Sequence, residues 1–521
     1  MVCSRSPRWL AQIGPRASLA VLLAPPPTIL VADDEVAPVE ISQPAAPASP
    51  PASEPAPVPE PAPVPDVVVD AEAEPAPDPE PQGKRRKKPK KDPDDPNRLE
   101  WGVLPAVAYD IDLGFGFGAL VTLAKFKPGF VPFRWRLEIL ANATVKNVPG
   151  VGATFPFHDD YVRADFPGLW DGRLRINAQF RFRRFSNQGW YGLGNASASL
   201  EPWTAIDPEL DPDGYARARR YHQYDRIYPQ LDFNNRIIVW DSPVGGPPVT
   251  ASRRRPGLIP AHKRRLEALV GASFAYNVIR PYPDSKLAED LEARELDDGD
   301  GETLQRLMRG VDDHAVLTLN LGLLLDTRDH EFVPTHGSFT ELSTRLSPGV
   351  DDQLMFAELF FATAHFQPLA GEYLVVASRV ALDWLFGRPP FYELAQFGVL
   401  TQRDGPGGSW SIRGVPRQRY FGKQKAIVNL ELRSMFYRFA IKSQRFGIGA
   451  LGFVDAGRVW TDYRPVSLAG VDVDGEPSDV KLGVGGGLRL TWGETLVIRV
   501  DPAWSPTDET FGFYVDIGQM F

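Results

Sequence analysis

Cysteine is nearly absent: the 521 residues hold one, Cys3. The rest of the chain therefore has no disulfide, no thiolate metal site and no thiol nucleophile. The seven histidines are scattered without a ligand spacing such as HExxH, so no metal site is expected. Nothing points to a cofactor. Beyond the N-terminus no apolar run reaches the roughly 18 residues that a membrane helix needs. No Ser/His/Asp set stands out, and the chain is not expected to be an enzyme. The net charge of −9 is modest and offers no case for nucleic acid.

What the chain does have is three contrasting textures. Residues 1–32 read as a signal peptide, with Arg5, Arg8 and Arg16 before the apolar run "ASLAVLLA". Residues 33–83 form a Pro/Ala/acid-rich linker. It buries too little apolar area to offset its ordering entropy, so disorder with extended polyproline character is expected. A basic linker, 84–98, opens with "KRRKKPKK", suited to anionic lipid headgroups or to plain solvation.

From about Trp101 onward, segments alternate polar and apolar residues with a period of two. In "RLRINAQFRFRR" one face carries Arg173, Arg175, Asn177, Gln179, Arg181 and Arg183, and the other Leu174, Ile176, Ala178, Phe180 and Phe182. In "FGFYVDIGQMF" Phe511, Phe513, Val515, Ile517 and Phe521 fall on one side. Several charges per polar face are too many for a packed soluble core but suit a wet barrel lumen. The expected fold is an all-β, 16-stranded antiparallel transmembrane barrel over 99–521. Its strands lie near 101–111, 115–126, 132–144, 151–167, 173–185, 226–240, 263–279 and 313–326. The others lie near 338–347, 353–367, 372–386, 423–437, 444–456, 480–491, 495–503 and 511–521. An even count places both barrel ends on one side. The long insertions 186–225, 280–312, 387–422 and 457–479 then share the opposite side, and only the linker 241–262 breaks the pattern.

The segment "SIRGVPRQRYFG", followed by "AIVNLELR" and "GFVDAGRVW", resembles the bacterial surface-antigen barrels, the BamA/TamA-type outer-membrane assembly factor superfamily. "LDTRDHEFVPTHGSFTELSTRLS" and "LPAVAYDIDLGFGFGALVTLAKF" extend the likeness over about 101–521. The resemblance implies that loop 387–422 folds into the lumen, with Arg413 and Gly414 as its motif and Glu431 and Asp455 as the receiving carboxylates. Val415 departs from it, standing where the family usually has an aromatic residue. The alternation independently turns Glu431 and Asp455 inward, with Gly447 and Gly449 leaving room for a loop. Arg417 and Arg419 read as rim charges.

Pro105, which has no N–H, and Gly518 mark a weak seam between first and last strands, and Phe521 resembles a C-terminal barrel signal. No POTRA-type periplasmic module fits the first hundred residues. The implied function is assembly or translocation of protein or lipid in the outer membrane of a Gram-negative cell, with the N-terminal linker in the periplasm. Outer-membrane lipid and lipopolysaccharide, client barrels and a separate periplasmic partner are the expected contacts. The alternative is a plugged pore or a surface barrel that binds ligands or partners. The acidic stretch "EDLEARELDDGDGE" suits divalent cations or a bridge to lipopolysaccharide, but reads first as a solvated loop.

Overall fold

A computed structural model describes residues 97–110, 113–128, 130, 133–148, 152–197, 206–207, 209–243, 263–350, 354–370, 373–441, 444–493 and 496–521. The expected signal peptide, the Pro/Ala/acid-rich linker, the basic stretch up to residue 96 and the connection 244–262 lie outside these residues.

The described chain is overwhelmingly antiparallel sheet. Its first half holds β1 (Leu99–Asp110), β2 (Gly114–Lys125), β3 (Trp135–Val148), β4 (Gly152–Thr154), β5 (Phe157–Leu169), β6 (Leu174–Gly189), β7 (Gln223–Pro243) and β8 (Lys263–Pro281). Next come β9 (His314–Asp326), β10 (Gly337–Ser347), β11 (Phe356–Ala370) and β12 (Leu374–Gly387). The two-residue strands β13 (Gln396–Phe397) and β14 (Arg403–Asp404) pair with each other inside one connection. The wall resumes with β15 (Gln424–Ile441) and β16 (Gln444–Trp460). A second small hairpin, β17 (Ser467–Leu468) and β18 (Val471–Asp472), precedes β19 (Lys481–Trp492), β20 (Leu496–Ser505) and β21 (Thr510–Ile517).

The wall strands pair antiparallel with their neighbours along the chain, and β1 meets β21 at Tyr109↔Val515 and Asp110↔Tyr514. The large sheet has 17 strands where 16 were expected. The expected strand 151–167 is split at Phe155–Pro156 into β4 and β5, both of which pair with β3. Pro156 has no N–H to give a ladder, which accounts for the break.

Burial is inverted relative to a soluble protein. On β9, Leu319, Leu321, Leu323 and Leu325 point outward and are 37–48% exposed, while Thr318 and Asn320 are buried inside. A continuous apolar exterior around a polar interior is what a bilayer requires of a barrel. Inside, charge is matched locally. Arg181 donates to Asp159 at 2.5 Å, Arg345 to Glu358 at 2.7 Å, and Lys425 to Asp383 at 2.8 Å.

A separate apolar core sits in the connections at one end. Trp190, Leu193, Leu287, Leu304, Phe391, Phe421 and Val473, from four different connections, belong to it. The Trp190 ring stands edge-on to Phe391 at 5.3 Å and to Phe421 at 4.6 Å. Its indole N–H donates to Asp290 at 2.8 Å. Three short helices lie in these connections, α1 (Pro212–Arg220), α2 (Lys286–Arg294) and α3 (Gly299–Leu307), and α2 and α3 contribute to the cap. Side chains of Asp211, Ser285 and Asp298 accept from the first-turn N–H groups of the three in turn. The acidic stretch is thus two capped helices whose Leu287, Leu304 and Leu307 are buried, not a solvated loop.

The end of the chain also departs from expectation. β21 stops at Ile517, and Gly518 takes φ +98°, a left-handed conformation that favours glycine. The chain then turns inward. Phe521 does not share the outer face of Phe511 and Phe513 but packs on a buried cluster of Ala364, Phe366, Val375 and Ala377.

Candidate functional site

The connection 388–423 between β12 and β15 is almost wholly buried. It runs through a 3-10 turn, Phe391–Ala395, then the β13–β14 hairpin, then a glycine-rich turn. Gly405, Gly407, Gly408 and Gly414 all adopt positive φ. Gly407 leaves no alternative, because a Cβ there would lie 2.0 Å from the carbonyl oxygen of Pro416.

At the inner end of this loop Arg413 is fully buried. Its Nε and Nη2 donate to the two oxygens of Asp455 on β16, at 2.8 and 3.0 Å, a bidentate fork. Its Nη1 lies 2.7 Å from Glu431 on β15 and 3.4 Å from Asp501 on β20. The guanidinium also lies over the Phe453 ring, 3.4 Å from its centre. Burial opposes its charge, but Asp455, Glu431 and Asp501 outweigh that cost and raise its pKa. Asn429 reinforces the seat by donating to Asp455 at 2.8 Å and to the Ser411 carbonyl at 2.6 Å.

Neighbouring backbone groups are tied down as well. The Gly414 N–H donates to the Tyr514 hydroxyl at 3.1 Å, and the Thr510 hydroxyl donates to the Gly414 carbonyl at 2.8 Å. Both partners belong to β21. Arg379 and Arg499 donate to the carbonyls of Trp410 and Ser409, at 2.8 and 2.9 Å.

Arg413, Gly414, Glu431 and Asp455 therefore meet at one point, whereas Pro105, Gly518 and Phe521 lie elsewhere. Asp501, Tyr514 and Phe453 belong to the cluster and were missed. Asp501 and Tyr514 lie on the inward faces of the last two strands, a position that the alternation of their sequences signals.

The glycines that admit the loop also differ from expectation. A Cβ on Gly483 would meet the Arg413 carbonyl oxygen at 1.9 Å, and one on Gly457 would meet Ile412 at 2.7 Å. Gly447 and Gly449 instead face Thr491, Met435 and the Ser434 carbonyl. Val415 is buried with Ile412, Tyr420 and Val459.

Arg417 and Arg419 are not rim charges. Arg417 pairs with Asp404, and Arg419 donates to the Ser197 hydroxyl at 2.7 Å and its carbonyl at 3.0 Å. Burial works against the Asp404 charge, yet Arg417 and Arg183 hold its pKa well below the usual carboxylate range.

Among the described residues, which exclude Ile111 and Asp112, β1 and β21 share the two residue pairs given above, while β1 and β2 run in register from Leu99↔Lys125 to Asp110↔Gly114. Pro105 is exposed on the outer face, and Tyr109 meets Phe513 edge-on at 5.8 Å. Phe521 lies 6.3 Å from Phe366, under the Arg433 and Arg379 guanidinium groups. Among the described residues, no group of three or more His, Cys, Asp or Glu side chains is placed to hold a metal ion.

Residues 271–521, which contain the whole Arg413 cluster, match the Omp85 superfamily domain. No curated protein matches the chain. Among solved structures it is similar to BamA from Haemophilus ducreyi lacking POTRA domains 1-3, at 14% identity and a TM-score of 0.45. That match covers 81% of this chain and 70% of the other. It is also similar to CdiB from Escherichia coli, at 10% identity and a TM-score of 0.44, covering 81% of this chain and 63% of that one. Residues 271–521 of this chain thus carry an Omp85 superfamily domain.

Proposed function

We propose that this barrel serves the assembly or translocation of proteins or lipids in the outer membrane, with connection 388–423 as an internal lock. One observation carries the reading. Arg413 ties the loop to β15, β16 and β20, and Gly414 ties it to β21, while the neighbouring β1–β21 seam has two residue pairs among the described residues. A firmly held wall beside a sparsely paired edge suits a barrel that opens sideways between its first and last strands. Clients would be unfolded barrel strands or lipids, and a separate periplasmic protein would deliver them. No residue is assigned a catalytic role.

The apolar cap over one end favours a second reading, a plugged barrel that binds ligands or partners without passing a client.

Reconstitution into liposomes separates the two. Under the first reading, the protein accelerates insertion of an unfolded client barrel. A Tyr109→Cys/Val515→Cys cross-link abolishes that acceleration, and reductant restores it. Steady conductance with no faster insertion, or full insertion with the seam cross-linked, would leave the second reading standing.

A further inference from the structure

Between the loop and the N-terminal wall lies a cavity of about 780 Å³. Its lining has a charge bias opposite to that of the whole chain. Eleven arginines face seven carboxylates, an excess of four cations with no lysine. Most of these arginines have carboxylate partners, as Arg175 has in Asp165 and Glu331. Two have none among the described residues. Arg379 is satisfied by oxygens of Asn429 and Trp410. Arg403 is not: its guanidinium lies 3.7 Å from the centre of the Trp410 ring, with no hydrogen-bond acceptor and no carboxylate beside it. The second guanidinium near that ring, Arg499 at 4.3 Å, adds positive charge, and Arg163, Arg181 and Arg183 act on Arg403 in the same sense.

Arg403 is half-buried, and a cation partly removed from water among other cations is costly unless an anion joins it. Guanidinium groups with free N–H forks match tetrahedral oxyanions in shape as well as charge. The ring of Trp410 holds the Arg403 plane in place, so little ordering remains when a ligand arrives. The cavity also reaches the seam, since Tyr109, Val515, Asp516 and Ile517 are part of its lining.

We propose that this cavity binds a phosphate-bearing group, with the Arg403 guanidinium at its centre. The chemistry fits a soluble phosphate and the headgroup of a phosphorylated lipid equally. The site stands whether or not clients pass through the barrel.

Isothermal titration of the full chain in neutral detergent tests it, with sodium pyrophosphate, short-chain phosphatidic acid and short-chain phosphatidylcholine as probes. Pyrophosphate binding that weakens roughly tenfold or more in Arg403→Gln supports a soluble phosphate ligand. Binding of phosphatidic acid alone, with the same loss, supports a lipid headgroup. Arg280→Gln, on an exposed arginine paired with Asp313, should bind like the parent chain. Binding of neither phosphate probe, equal binding of phosphatidylcholine, or unchanged binding in Arg403→Gln overturns the proposal.

Heat-modifiable migration on gels reports whether that variant folds. If it does not, Thr401→Glu takes its place, since it sets a carboxylate on an exposed, cavity-lining position two residues away. Retained phosphate binding in that variant equally overturns the proposal.

Discussion

The Arg413 cluster and the β1–β21 seam close the same barrel by different physics. At the cluster, one guanidinium pairs with carboxylates from three strands with no solvent access, and hydrogen bonds from the adjoining backbone reach a fourth. At the seam, two residue pairs and one aromatic contact join the strands among the described residues. The difference is lopsided across the seam itself. β21 is gripped from inside through Tyr514 and Thr510, whereas β1 has β2 on one side and those two pairs on the other.

That contrast breaks most readily at its strong side. Arg413→Ala leaves Glu431, Asp455 and Asp501 buried with too little positive charge. Removing one partner of such a buried pair costs about 3–5 kcal/mol. Loss of heat-modifiable migration, or an unfolding midpoint shifted to lower urea, measures the effect. Gly483→Ala attacks the same place through sterics, forcing a Cβ into the Arg413 carbonyl; overpacking of this kind costs about 1–3 kcal/mol. The same urea titration should rank it second. Phe521→Ala removes a half-buried ring lying between two guanidinium groups and a phenyl ring, worth about 1 kcal/mol. At the weak side, Pro105→Ala should change stability by less than about 0.5 kcal/mol, because the residue is exposed and outside the two seam pairs. A large loss there would show that the seam contributes more to closure than its pairing indicates.

Much of the wall was legible because a barrel writes its fold into a period of two. Strand limits fell within a few residues, and the inward turn of Glu431 and Asp455 followed from alternation alone. The misses share a cause: contacts distant in sequence. Nothing local to Gly483 announces that the Arg413 carbonyl will lie against it, and Asp501 looks like any inward acid until the loop arrives. Arg417 looks like a rim charge until Asp404, on a two-residue strand too short to show a period, takes it up. Phe521 misled for a different reason. Alternation was extended through Gly518, whose left-handed backbone ends the strand and turns the chain inward. The α2–α3 pair was available from its caps, Ser285 and Asp298, but its acidity drew the reading toward solvent.

The buried arginine also bears on the order in which the barrel is built. Its partners Glu431 and Asp455 lie 18 and 42 positions along the chain, by the difference of their numbers from 413, and Asp501 lies 88 away. Tyr109 and Val515 are separated by 406 positions. Closing a loop costs more entropy as it lengthens, so near pairings form before distant ones. The loop can thus act as a mandrel on which β15 to β21 curve first, leaving the β1–β21 seam to close last. During refolding, hydrogen exchange should find β15 and β16 protected before a Tyr109→Cys/Val515→Cys pair can form its disulfide, and simultaneous appearance of the two would refute that order.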